Sequence, residues 1–353
     1  MYVVQSYPVA VALCVVTMLC WGSWANTQKL AGVRWRFELF YWDYVFGVLL
    51  AAVVFAFTLG SSGTVGRDFL ADLRQAAPES LGWAFLGGVI FNAANILLVA
   101  AIAIAGMSVA FPVGIGLALI VGVVVNYIGK PTGNPVLLFA GVAFVTAAII
   151  LDAWAYRKLP GQGKGASFKG LVLSVVCGIL MGYFYRFVAA SMSELKIVGG
   201  QLAPMEAGKL SPYTAVVVFS LGILVSNFIL NTAIMMRPFT GAPVPVSDYF
   251  KGTAQDHLWG VVGGIIWCVG MTLSILASGP AGFAISYGLG QGATMVAAFW
   301  GVFIWREFRQ APPETGMMLW SMFERFIVGL GLIVLAGKWD EMINPVVQAL
   351  LAK

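Results

Sequence analysis

The chain has 353 residues, of which 60% are hydrophobic and 10% charged, and its mean hydropathy is +0.90. No water-soluble globular protein of this length tolerates so apolar a surface, so the composition excludes a soluble enzyme or binding module and calls for a bilayer. The net charge of +5 is spread thinly over loops, with no basic stripe and no nucleic-acid motif, which argues against a nucleic-acid partner.

A bilayer core is crossed by roughly 20 apolar residues in helical form. The sequence predicts ten such helices, near 8–30, 38–59, 81–105, 107–128, 135–154, 169–191, 213–235, 257–277, 281–304 and 320–338. They are about twice as long as a barrel strand and lack its alternation. Span 1 has no basic residue before it and no A-x-A-like cleavage site after it, so it reads as a retained helix rather than a signal peptide. It ends in "CWGSWANTQ", where Trp21 and Trp24 share a helical face and Asn26 and Gln28 follow. That density of stacking and polar groups predicts a helix that stops being an anchor and begins to line a cavity. In span 2, Asp43 lies about one turn inside, in "FYWDYVFG". A carboxylate at that depth suits a proton-coupling group, with an interfacial cap or ion-pair partner as the structural alternative.

Asn92 and Asn95 lie in span 3. Each amide can donate and accept at once, which suits a planar polar solute, although an interhelical hydrogen bond of about 0.6 kcal/mol explains a buried amide equally well. Span 4, "AFPVGIGLALIVG", is interrupted by Pro112, Gly114 and Gly116. Residues 155–169 form a short basic linker; its "PGQGKGAS" (160–167) lacks phosphate-loop spacing. Arg186, late in span 6, is placed to snorkel. His257, the single histidine, begins span 8 and reads as interfacial. Span 9, "FAISYGLGQGATM", matches span 4 in its glycines, and Tyr287, Gln291 and Thr294 fall within it, the last two on one face. Glu38, Glu206 and Glu307 read as loop or helix-end charges. Cys14, Cys20, Cys177 and Cys268 all fall inside spans without metal spacing and read as core filler. No nucleophile–base pair or ligand set calls for an enzyme or a cofactor.

Two counts organise the chain. With the N-terminus outside, the loops after odd-numbered spans, plus Arg325, hold twelve Lys and Arg and the opposite side holds eight, a modest bias toward N-out. The chain also repeats itself. "LCVVTMLCWG" (13–22) aligns with "LSVVCGILMG" (173–182), "YVFGVLL" (44–50) with "FSLGILV" (219–225), "WAFLGGVIF" (83–91) with "WGVVGGIIW" (259–267), and "VGIGLAL" (113–119) with "YGLGQGA" (287–293). The halves are therefore 1–154 and 170–353, each with five spans. An odd number inverts the second copy, the all-α architecture of alternating-access carriers that bind substrate between repeats.

"MYVVQS", "WDYVFGVLLAAVVFAFTLG", "AGMSVAFPV" followed by "VNYIG", "LSPYTAVVVFS" and "GPAGFA" followed by "FWGVFIWREFR" resemble, in order and over nearly the whole chain, the ureide permease family of plants. That family falls in the drug/metabolite transporter superfamily, whose ten-helix members are five-plus-five inverted repeats. The resemblance implies proton-linked uptake of allantoin and related oxo-heterocycles such as uracil and xanthine, powered by the proton gradient without a cofactor. It marks Asp43, Asn95, Asn126, Tyr127, Tyr213 and Trp300 as positions that fit the family pattern. The short linker departs from the long central loop of plant members and removes the reason to expect nucleotide regulation.

The expectation is a multi-pass carrier of the cell membrane, monomeric or homodimeric, with a small-molecule substrate. The expected substrate site comprises Trp21, Trp24, Asn26, Asn92, Asn95, Tyr287, Gln291 and Thr294, with Asp43 for the proton. Alternatives are a sugar transporter of the glucose/ribose type and a drug or metabolite exporter. A receptor or scaffold is disfavoured by the repeat.

Overall fold

In a computed structural model, residues 1–351 are described apart from 33–34, 64, 160–167, 196 and 199–200. Arg34, Lys164, Lys196, Lys353 and the "PGQGKGAS" segment thus lie outside the described residues. The ten apolar helices are α1 (Tyr7–Ala31), α2 (Phe37–Phe57), α3 (Pro78–Ala105), α4 (Pro112–Gly129), α5 (Pro135–Arg157), α6 (Phe168–Ser191), α7 (Pro212–Met236), α8 (Ala254–Ala281), α9 (Phe283–Ile304) and α10 (Glu314–Trp339). Each is long enough to cross a bilayer, and the chain is a multi-pass membrane protein. Their starts follow ordinary capping chemistry. Proline opens α1, α3, α5 and α7, where its missing N–H leaves no bond unmade. Asn134, Ser211 and Thr253 accept from the first-turn amides of α5, α7 and α8.

The helices pack mainly across the two halves. α1 lies on α8 and α9 as α6 lies on α3 and α4; α2 lies on α8 as α7 lies on α3; the pairs α2–α7, α4–α9 and α5–α10 exchange into themselves. The residues at these contacts match the sequence alignment. A methyl group on Gly88 would overlap the carbonyl oxygen of Phe219, and one on Gly264 that of the aligned Tyr44. Gly47 meets the carbonyl of Val261 as Gly222 meets that of Phe85. Gly22 sits against Val296 as Gly182 sits against Val121 and Gly122. Lipid tails are as apolar as leucine, so helices associate by close contact, and these glycines let backbone approach backbone.

The aromatic core fills the middle of this packing. Trp21 stacks on Trp267 with centroids 6.0 Å apart, and Trp267 stacks in turn on Phe219 and packs against Phe91 at 4.3 Å. The α5–α10 pair stands to one side, joined through Gly141 and Gly329, each against the other's carbonyl.

Three spans are irregular. α1 bends at Trp24, between Tyr7–Ser23 and Ala25–Ala31. α4 opens on a π turn, Phe111–Ile115, around Pro112. α9 is broken at Gln291–Gly292 and ends in a second π turn, Trp300–Ile304. Spans 4 and 9, marked by their prolines and glycines, are thus two of the three that depart from regular helix, although the α9 break aligns with regular helix in α4.

One end of the bundle is shut. There Arg67 Nε donates to Asp72 Oδ1 at 2.7 Å, the Ser211 amide donates to Asp72 Oδ2 at 2.7 Å, and Tyr213 Oη donates to the Tyr2 carbonyl at 3.0 Å. The other end, where the odd-numbered loops lie, is open.

The glycine contacts make a direct prediction. Gly88→Ala and Gly264→Ala should each destabilise by about 1–3 kcal/mol through overpacking, seen as a lower midpoint of thermal unfolding in detergent. Gly331→Ala, with no atom within 4 Å of its added methyl, should not lower the midpoint; equal effects at all three sites would contradict this packing.

Candidate functional site

The open end holds a cavity of about 600 Å³ between the ends of α1, α5 and α9 and the connection from α1 to α2. Its polar and aromatic lining comes from Asn26, Gln28 and Lys29 of α1, Trp35 and Arg36 of the connection, Tyr156 of α5, Trp300 of α9, and Trp305 and Glu307 beyond it. The bend at Trp24 and the π turn of α9 aim these groups. After the π turn, Arg306 takes a left-handed conformation (φ 52°), the one positive φ among described non-glycine residues, and this reversal brings Glu307 back over the cavity.

The lining is cross-tied. Trp305 Nε1 donates to Asn26 Oδ1 at 2.6 Å, Asn26 Nδ2 donates to the Ser23 carbonyl at 3.0 Å, and Trp300 Nε1 donates to Ser23 Oγ at 2.9 Å. Lys29 Nζ lies 2.5 Å from Glu307 Oε1 and 5.0 Å from the Trp305 ring centroid. Tyr156 Oη donates to Glu307 Oε2 at 2.9 Å. Flat aromatic walls with amide, ammonium and carboxylate groups on one rim can grip a small ring that carries both N–H and C=O groups. A second opening of about 330 Å³ adjoins it and shares Arg36 and Phe37.

Of the residues expected at the site, Asn26 lines the cavity, as does Trp300, which the family resemblance marked. Trp21 is in the core instead, its indole donating to the Trp267 carbonyl at 3.2 Å and its ring packed by Gly270 and Gly290. Trp24 packs on Tyr44 at 4.8 Å; Tyr44 stacks on Tyr41, whose hydroxyl accepts from Asn95 at 3.1 Å. Asn92 ties α3 to α7 through Ser226 Oγ at 2.9 Å. Tyr287 donates to the carbonyls of Ala118 and Met181 and fills the space over Gly122. Thr294 Oγ1 donates to the Gln291 carbonyl at 2.9 Å across the break in α9. Gln291 itself is 8% exposed and makes no side-chain hydrogen bond among the described residues, so its amide, like the buried Asn92 Oδ1, is left free for a ligand. Among the other positions marked by resemblance, Asn126 bonds back to the Gly122 carbonyl, Tyr127 packs edge-on to Phe139, and Tyr213 belongs to the shut end.

Asp43 is held by groups the sequence did not connect to it. Tyr249 Oη donates to Oδ1 at 2.6 Å, and His257 Nδ1 lies 3.0 and 3.1 Å from its two oxygens. Trp35 stands edge-on to His257 at 5.0 Å. The lone histidine gains its role from a carboxylate 214 residues away, and no sequence spacing could have announced that. Asp152 escaped notice inside the apolar run "AAIILDAWAYR": it is buried, and its Oδ1 has no hydrogen-bond partner. Among the described residues no group of three His, Cys, Asp or Glu could hold a metal ion.

A family model described as ureide permease matches residues 40–160 and 161–336. The chain belongs to the ureide permease family. It is 25% identical to ureide permease 1 of Arabidopsis thaliana, over 95% of this chain and 98% of the relative. With the probable ureide permease A3 of Vigna unguiculata it shares 22% identity, over 89% and 99% of the two chains. A protein solved by crystallography shares the fold at a TM-score of 0.57 and 14% identity, covering 95% of this chain and 100% of its own. Ureide permeases are transporters, so this chain is a membrane transport protein and not an enzyme.

The carboxylate lock on Asp43 generates a prediction. Burial first, and the hydrogen bond to Asp43 second, hold the Tyr249 phenol above its ordinary value. A group raised on folding contributes stability that is complete below its unfolded pKa and is lost as pH rises through its folded one. Tyr249→Phe should therefore lower the unfolding midpoint at neutral pH and lessen the fall in stability above the ordinary phenol range near ~10. An alkaline limb as steep as that of the wild type would show that Tyr249 is not coupled to Asp43.

Proposed function

We propose that this ureide permease is a proton-linked secondary carrier that takes up allantoin and related oxo-heterocycles such as uracil and xanthine across the plasma or inner membrane. The observation that carries the reading is the tryptophan-walled cavity at one end of a bundle whose other end is shut. A ureide ring presents several N–H donors beside C=O acceptors in one plane. Trp300 and Trp305 supply flat faces, Glu307 and the Asn26 carbonyl oxygen accept, and Lys29 and Arg36 donate.

The two halves form an inverted repeat in this reading, 1–154 and 170–353. The exchange of packing partners and the matched glycine contacts support it. A pair of interlocked copies has two equivalent ways to tilt, one open at each end, which is the basis of alternating access. With the N-terminus outside, the open end faces the cytoplasm, and the twelve-to-eight division of Lys and Arg supports that orientation. Three carboxylates within the described spans are buried, Glu38, Asp43 and Asp152, and Glu38 is paired with Arg36.

Ligand binding to the folded protein raises its apparent stability by mass action. Allantoin, uracil and xanthine should raise the unfolding midpoint of the purified protein, whereas glucose, ribose and a quaternary ammonium dye should not. A shift with a sugar alone would overturn the substrate assignment. Trp300→Ala should weaken heterocycle binding about tenfold, equal to ~1.4 kcal/mol, and Gln291→Ala should weaken it without loss of expression. Unchanged affinity in both variants would remove the cavity and the α9 break from the binding path.

A further inference from the structure

We propose that Asp152 and Glu307 together take up the proton that drives transport, at the rim of the tryptophan-walled cavity. The proposal rests on the reading of the chain as a proton-linked carrier and assigns that proton to named oxygens.

Asp152 lies on α5 one helical turn before Tyr156, so the two side chains share a face. It is 5% exposed, and Oδ1 has no hydrogen-bond partner. A carboxylate so placed is costly when charged unless something compensates it. Glu307 is the charged group that acts on it, and Glu307 is a second carboxylate. The cation bound there among the described residues, Lys29, is already paired with Glu307 Oε1, while Oε2 accepts from Tyr156. The other described elements packed on α5 offer no compensation. On α10, Glu314 pairs with exposed Lys158, and Arg325 bonds to the Ser321 carbonyl one turn back on its own helix. The segment from Met107 to Ile115 contains no ionisable side chain. Arg157 and Lys158, which follow on α5, are exposed.

With both carboxylates ionised, the cluster holds two negative charges against one positive. One proton from the aqueous cavity, bound to an oxygen of either carboxylate, leaves one charge of each sign. No other atom moves in that step. Asp43 is differently placed, because Tyr249 and His257 already supply its oxygens with partners. Coupling follows from location. Glu307 lines the cavity and ties α1 to α5, so proton and ligand act on the same carboxylate, and the Lys29–Glu307–Tyr156 tie is the contact whose charge the proton alters.

The test compares Asp152→Asn, Glu307→Gln and Asp43→Asn by two readouts. In proteoliposomes, the ratio of ureide uptake with an inward proton gradient to uptake without it should fall to about one in the first two variants, the limit at which no free energy is coupled. It should stay at the wild-type ratio in Asp43→Asn. In infrared pH-difference spectra of the purified protein, a carboxylic-acid band that responds to pH should be lost from Asp152→Asn and Glu307→Gln and kept in Asp43→Asn. The spectra need no substrate, so a wild type that transports none of the ureides would sink the functional reading while leaving the proton site to be judged separately. If Asp152→Asn does not fold, Tyr156→Phe serves. It keeps both carboxylates but removes the hydrogen bond that ties Glu307 to α5, so the gradient ratio should fall toward one. A gradient response or pH-sensitive band that survives in Asp152→Asn, one lost only in Asp43→Asn, or a wild-type gradient ratio in Tyr156→Phe would each overturn the proposal.

Discussion

Everything in this molecule hangs on backbone meeting backbone between its two halves. In lipid there is little hydrophobic gain from pressing one apolar helix on another, so association depends on dispersion and on how closely the chains approach. Gly47, Gly88, Gly222 and Gly264 set that approach, each against a carbonyl of a helix from the other half or its counterpart. These points fix α2, α3, α7 and α8 against one another, and the buried core is shared among them.

Polar chemistry is sorted by this frame. At the shut end, charged and backbone groups satisfy one another across loops: Arg67 and Asp72 bind the segment before α7, and Lys130 pairs with Glu194 at 3.0 Å. At the open end, helices bend or widen before they finish, and the side chains they release face water in the cavity. A bend in α1 and a π turn in α9 have the same consequence: each turns a tryptophan-rich helix end inward. The interior between the ends is aromatic and close-packed around Trp267, so passage of a ligand requires that layer to part. Gln291, buried and unbonded beside the break in α9, stands where such a parting would expose a donor and an acceptor together.

The ten spans were legible because hydropathy is a local property of the chain, and the glycines that align in sequence are the ones that make close contacts. The site was legible only in part. Asn26 and Trp300 were marked, but Trp305 was not singled out and Glu307 looked like a loop or helix-end charge. Which way they face is decided by the π turn and by the left-handed Arg306, and neither has a sequence signature. Trp21 misled for the converse reason. Its depth in the membrane was legible, yet whether it met a ligand or another tryptophan depended on helix α8, distant in sequence. Asp152 and His257 were obscured by isolation, one in an apolar run and the other without a second metal ligand. Their meaning comes from Glu307 and Asp43, placed beside them only by the fold.

A ligand that enters this permease through the cavity at the end of α1, α5 and α9 must shield the residues that line it. A single cysteine placed at Ala297, in a chain whose four native cysteines are replaced, tests this through labelling by a membrane-impermeant thiol reagent with and without allantoin. Labelling is expected from one side of the membrane, and more slowly when allantoin is bound. Equal rates with and without every ureide, or a cysteine unreactive from both sides, would contradict it.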